Sequence, residues 1–245
     1  MMDRPVRSFA LLPLAALLGA LLAPAPAALA QSADFIISQH GKDVGTASFS
    51  FTATPNGYDS TALVRVAMQG LDYSLSKTER LSPANHLRHT QLSATVNGSA
   101  VSVTAAPDAA QILLNISANG RASTTRLAPH AAAVFLPDFD PGALETLLAL
   151  AVASNNRDLW AIIPKRAGTI EPIQLATYAD EQGTLDGKPV VVHHLVATIA
   201  GASTDLFSGP ENQLLQAEFP QQGFALLRKG FVLTPPSKPG APPAQ

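Results

Sequence analysis

Polar and apolar residues alternate along most of this chain with a period of two. Ala47, Phe49, Phe51 and Ala53 interleave with Thr46, Ser48, Ser50 and Thr52. Successive strand side chains point to opposite faces, so this stretch presents one apolar and one hydroxylated face. Ala62, Val64, Val66 and Met68 repeat the pattern, as do Leu71, Tyr73 and Leu75, then Leu92, Ala94 and Val96, then Val101 and Val103, and Ile112, Leu114 and Ile116. A polar strand from Arg121 to Leu127 follows. Asn56-Gly57, Asn97-Gly98, Asn119-Gly120 and Asp186-Gly187 punctuate the strands. Such pairs accept positive φ and favour two-residue hairpins. Hairpins in series predict an antiparallel meander, because their loops are too short for a crossover.

One segment changes period. Asp140 is placed to cap a helix and Pro141 to begin it. Leu144, Leu147, Leu148, Ala151 and Val152 then repeat at helical spacing, with Glu145 the one charge, and Ser154-Asn155-Asn156 ends the run. The spacing predicts a helix over 141–153 that packs its stripe on the sheet, with Trp160 at its exit. Strand pattern resumes at Ile173–Ala179. Val190–Ala200, apolar on both faces apart from His193 and His194, predicts a central strand. Asn212–Phe219 and Phe224–Leu233 predict a closing hairpin. The fold expected is mainly β: a curved antiparallel meander, or half-barrel, with one covering helix, over a single domain at residues 31–233.

Both ends stand apart. Arg4 and Arg7 precede an apolar run from Phe9 to Leu22, and Ala28-Leu29-Ala30 supplies small residues for cleavage. Residues 1–30 therefore predict a secretory signal peptide, with a mature start at Gln31 and a periplasmic or secreted location. The run is too short, and too interrupted by Pro13, Pro24 and Pro26, for a resident membrane span. No Cys is present to carry a lipid, so the mature form is expected to be released without a transmembrane or lipid anchor. Residues 234–245 are Pro-rich and predict an extended, unpacked, disordered tail.

Charge and chemistry narrow the function. Of 16 basic and 18 acidic side chains, Arg4, Arg7 and Asp3 leave with the leader, so the mature chain is close to neutral. The longest basic clusters are Lys165-Arg166 and Arg228-Lys229, which give no footprint for nucleic acid. Absence of Cys excludes disulfides, iron–sulfur clusters and Cys–zinc sites. The six histidines show no metal spacing: His193 and His194 are adjacent and so face apart, and neither H-x-H nor H-E-x-x-H occurs. G-x-S-x-G is absent. An acyl-transfer set of His194, Ser203, Thr204 and Asp205 competes with the plainer reading of these as polar loop residues after the long strand. The acids Asp43, Asp59, Asp108 and Asp186 sit beside turns, which explains them without catalysis. Asn97-Gly98-Ser99 and Asn115-Ile116-Ser117 match the glycosylation triplet, a pattern common by chance. No cofactor or metal is expected.

The remaining signal is apolar. One short helix covers only part of a sheet of about ten strands, so the rest of its inner face must fill itself, bind a ligand or meet another chain. The residues expected to line a ligand site are Phe49, Phe51, Val64, Val66, Leu144, Leu148 and Trp160. The opening hairpin His40-Gly41-Lys42-Asp43-Val44-Gly45-Thr46, the serial hairpins, the helix and the return to strands resemble periplasmic lipoprotein-carrier-like proteins over residues 34–233. The pattern is also similar to uncharacterised β-rich secreted families with the same G-x-x-V-G opening. The carrier resemblance implies a curved sheet and covering helices around a cavity for acyl chains; this chain has one helix where the carriers have several. The function expected is non-catalytic binding of an apolar, lipid-like ligand or an envelope partner. The competing classes are a hydrolase whose site assembles only in three dimensions and a purely structural domain.

Overall fold

A computed structural model describes residues 32–165 and 168–235. The expected signal peptide and cleavage point, and the tail from residue 236 onward, lie outside the described residues. Eight strands come first: β1 (Ser32–Gln39), β2 (Lys42–Thr54), β3 (Gly57–Met68), β4 (Leu71–Leu81), β5 (Leu87–Val96), β6 (Ser99–Asp108), β7 (Gln111–Ala118) and β8 (Arg121–Leu127). Next come β9 (Ala132–Phe135), α1 (Pro141–Ala153) and β10 (Leu159–Ile163). The chain continues through β11 (Thr169–Thr177), β12 (Glu181–Leu185), β13 (Lys188–Ile199), β14 (Ala202–Ser208), β15 (Leu214–Phe219), β16 (Phe224–Arg228) and β17 (Phe231–Leu233). The protein is thus mainly β, one open, antiparallel-dominated sheet with a single helix among the described residues.

Strands β2 to β8 form a meander in which each pairs antiparallel with the next. β1 lies between two wings, bonded to β2 on one edge and to β16 on the other. The second wing runs from β16 through β15, β14 and β13 to β11 and β10. β13 is long enough to pair with β12 near its start and with β11 near its end, which makes it the central strand its two-faced apolarity predicts. β9 pairs parallel with β10, so β9–α1–β10 is a crossover within the otherwise antiparallel sheet.

Local chemistry explains the turns. Asn97-Gly98, Asn119-Gly120 and Asp186-Gly187 all have both residues at positive φ, the geometry that matches strand twist. Asn56-Gly57 differs from expectation. Pro55 and Asn56 make the turn, and Gly57 already pairs with Thr54 in β3. A Cβ at Gly57 would collide with the carbonyl oxygen of Leu81, so glycine is needed in the strand rather than in the turn.

The inner face follows the alternation. Phe49, Phe51, Val64, Val66, Leu75, Leu92 and Val103 are buried, while Thr46, Thr52 and Thr61 are exposed. The helix fills the space between the wings, touching β2 and β3 on one side and β9 and β15 on the other. Asp140 caps it: Oδ1 accepts from the N–H groups of Gly142 at 2.9 Å and Ala143 at 3.1 Å. A Cβ on Gly142 would lie 3.0 Å from that of Phe49, so this helix end sits on the sheet as closely as glycine permits. At the other end, Ser154 N–H reaches Leu150 O, and Asn155 and Asn156 turn out of the helix at positive φ.

Several expectations need correction. Val152, assigned to the buried stripe, is 60% exposed, whereas Glu145, Thr146 and Leu150 are buried. Both wings enclose the helix, so its first three turns are covered nearly all round and its last turn emerges. Phe224–Leu233 is two strands: the chain turns at Lys229-Gly230, and β17 leaves β16 to pair with β12. Residues 203–205 belong to β14 rather than to a loop. The seventeen strands among the described residues exceed the ten or so expected, because short strands such as β9, β10 and β12 carry too few residues to show a period.

Candidate functional site

The apolar inner face of the first wing is interrupted by one polar stripe. Lys77 and Glu79 share the parity of Leu75 and Leu81 in β4, and so point inward. Glu79 stands opposite Ser60 on β3 and Thr90 on β5. The Lys77 ammonium lies 2.7 Å from Oδ2 of Asp140 and 3.1 Å from Oε2 of Glu79, with all three side chains essentially buried. Thr90 Oγ1 donates to the other Glu79 oxygen at 2.9 Å. One ammonium thus meets two carboxylates. The Thr90 hydroxyl and the first N–H groups of α1 supply the remaining donors, where the positive end of the helix dipole favours an anion. Burial pulls the Lys77 pKa down, but the charges of Asp140 and then Glu79 outweigh it and leave it above the usual lysine value. The cluster fixes the start of α1 to the sheet.

That anchor holds a three-residue segment in which each side chain goes a different way. Asp140 turns inward to Lys77. Asp138 reaches outward to Lys165 at 2.6 Å, with both side chains at the surface. Between them, Phe139 has φ 56°, a conformation a bulky residue adopts only under constraint, at a cost on the order of 1–3 kcal/mol. Its ring packs on Tyr73 from the first wing (6.3 Å) and on Phe219 (6.0 Å) and Phe224 (4.8 Å) from the second. The strained residue bridges the mouth of the half-barrel.

Two recesses open on either side of this bridge. The larger, about 490 Å³, lies in the first wing against Leu71, Tyr73, Leu92, Val101 and Val103. The smaller, about 370 Å³, lies in the second wing against Leu144, Ile163, Ala197, Ile199 and Phe219. Pro137, Asp138, Phe139, Lys165 and Gln222 border both. The volumes fall in the range of small-molecule sites; the larger recess has few polar groups, whereas Thr169, Glu171 and Thr204 add polar side chains to the smaller. Burial, then the nearby charges of Asp138 and Asp140, push the Tyr73 phenol far above its usual pKa.

The residues singled out from sequence distribute unevenly around this cleft. Phe49, Phe51, Val66 and Leu148 are in the filled core beneath it, and Leu144 borders the smaller recess. Val64 is buried under a shallow groove on the other side of the sheet. Trp160 stacks on His130 at 3.7 Å, and strand parity puts it on the opposite face of β10 from Ile163. Sequence reasoning missed Lys77, Glu79, Asp138, Phe139 and Lys165. The first two were legible as charges at inward parity; the other three carry no local signal.

The histidine pair faces apart, as adjacency requires. His193 bonds Asp180 at 2.9 Å. His194 lies between the rings of Tyr178 and Phe207, and bonds Asp205 at 3.0 Å. Ser203 Oγ is paired with Thr198 at 3.4 Å, while Thr204 lines the smaller recess on the other face, so strand β14 divides the imagined acyl-transfer set. Among the described residues no group of three or more His, Asp or Glu is placed to hold a metal, and no helix is long and apolar enough to cross a membrane.

No family model matches the chain, and no curated protein matches it. A crystal structure of a DUF1089 family protein from Pseudomonas aeruginosa is similar over 72% of this chain and 90% of its own, with 10% identity and a TM-score of 0.39.

Proposed function

We propose that this protein binds an apolar, lipid-like small molecule in the cleft at the mouth of the half-barrel, and that it does so outside the cytoplasm. The observation that carries the binding reading is the pair of recesses flanking Phe139, walled by Leu71, Leu92, Val103, Leu144 and Ile199, the larger mostly apolar and the smaller with polar side chains such as Glu171 and Thr204 among its apolar ones. A filled core needs no such space. The address rests on the leader-like residues 1–30. Non-catalytic binding is favoured over hydrolysis because Ser203, which shares a face of β14 with the Asp205 of the His194–Asp205 pair, is bonded to Thr198 instead.

Native mass spectrometry of the protein purified from the secreted or periplasmic fraction tests both parts. The expected result is a mature mass starting at Gln31 and a second species heavier by one lipid. Retention of residues 1–30 in the released form overturns the address. A single unliganded species, together with no displacement of a fluorescent fatty acid by added lipid, overturns the binding reading in favour of a structural or partner-binding domain.

A further inference from the structure

We infer that the ligand is an amphiphile with two apolar chains and a zwitterionic head, seated with one chain in each recess and parted by the Phe139 ring. This rests on the binding reading above and specifies its ligand. Three observations carry it. First, the two recesses share Pro137, Asp138, Phe139, Lys165 and Gln222, so they are two arms of one mouth. A single chain in either arm leaves the apolar wall of the other facing water, whereas a forked ligand covers both.

Second, Phe139 is held where it stands. Its ring meets Tyr73 from one wing and Phe219 and Phe224 from the other. Its neighbours are tied in opposite directions, Asp138 to Lys165 and Asp140 to the buried Lys77. A straight chain cannot thread from one recess to the other without displacing this ring. A forked one straddles it. Third, among the described residues the mouth sets a cation beside an anion, Lys165 and Asp138 at 56% and 37% exposed, with Glu171 a further acid on the wall of the smaller recess. That pair complements a head group carrying both signs, and it disfavours a bare anion, which Asp138 would repel.

The test compares two ligands with the same head and different tail counts: a short-chain diacyl phosphatidylcholine and the matching lysophosphatidylcholine, both below their micelle concentrations. Calorimetry and native mass spectrometry on the mature protein give affinity and stoichiometry. The expected result is one diacyl molecule per chain, bound at least about tenfold more tightly than the lyso form. Val101→Trp should fill the larger arm and Ile199→Trp the smaller. Each should cut the diacyl preference to about threefold or less while lyso binding persists in the open arm. If either variant fails to fold, Val96→Trp or Ala202→Trp, at the rims of the same two arms, replaces it. Phe139→Ala should also erode the preference, because one chain can then lie through both arms. Equal affinity and stoichiometry for the two ligands in the parent protein overturn the two-chain inference and leave the cleft as a binding site. Binding of neither, with no lipid co-purified, removes both proposals.

Discussion

From β2 to β7 every strand bonds the strand before it and the strand after it in sequence, and β8 ends the run on β7, whereas from β9 onward such sequential pairings are mixed with distant ones, β11 with β13, β12 with β17 and β16 with β1. The first wing is built from alternation and short turns, with one register shift, between β4 and β5. The second contains the parallel crossover, a strand shared by two neighbours, an irregular register between β14 and β15, and a terminal strand that deserts its hairpin. The helix joins these two styles, and its joint is polar: the Lys77–Asp140 pair binds the capped helix start to the regular wing. Local pattern makes a sheet here, and a buried ion pair ties the start of the helix to it.

That contrast can be broken by attacking the joint. Asp140→Ala removes the helix cap and leaves the buried Lys77 with half its counter-charge. Loss of one partner of a buried pair costs about 3–5 kcal/mol, and urea melts should show a loss in that range. A loss under about 1 kcal/mol would mean that the wings are held by apolar packing alone. Within the regular wing, Phe51→Ala should cost about 3–5 kcal/mol. Ser50→Ala, at a half-exposed position of opposite parity, should cost about 0.5 kcal/mol or less. Similar costs for the two would contradict the inward face of β2.

A pH series sharpens the same joint. Lys77 and Tyr73 both have folded-state pKa values above their ordinary values of 10.5 and 10.0. The fold therefore holds protons that the unfolded chain releases. The associated stability is fully present below about pH 10 and is lost as pH rises above it. The melting temperature should fall between pH 9.5 and 11 (about the Tyr and Lys range), and Tyr73→Phe should flatten part of that fall. A flat profile in the parent protein would rule out both groups as contributors. The smallest effect belongs to the emergent end of the helix. Val152→Asp should change stability by about 0.5 kcal/mol or less, while a large loss would place that turn inside the core after all.

How much could be read from the chain follows the same division. Phe49 and Phe51 announce the inner face because their neighbours are Ser and Thr, and Val64 and Val66 because they flank Arg65. Asp140-Pro141 announces the helix start because capping is local chemistry. Lys77 and Glu79 are equally legible by parity, as charges at inward positions of β4. Val152 falls on the apolar stripe yet is exposed, because periodicity locates a stripe and says nothing of how many neighbours surround a helix. Residues 203–205 read as a loop because β14 shows its polar face in Ser203 and Asp205, and its pairing with β13 and β15 decides the matter. The cleft itself was out of reach. Phe139 meets Tyr73 and Phe224 only after both wings have closed, and nothing next to Phe139 in sequence encodes its left-handed backbone.

The place of β1 has a consequence for the order of folding. It is the first strand of the chain, yet Phe35 pairs with Arg228, near the far end. A chain made or exported from its N-terminus would hold β2 to β8 as finished hairpins while one edge of β1 stays open. Contacts this distant in sequence form late, and an unpaired edge invites pairing with another molecule. Until β16 arrives, the protein would carry a sticky margin at its own centre, and whatever slows delivery of the last residues would lengthen that exposure.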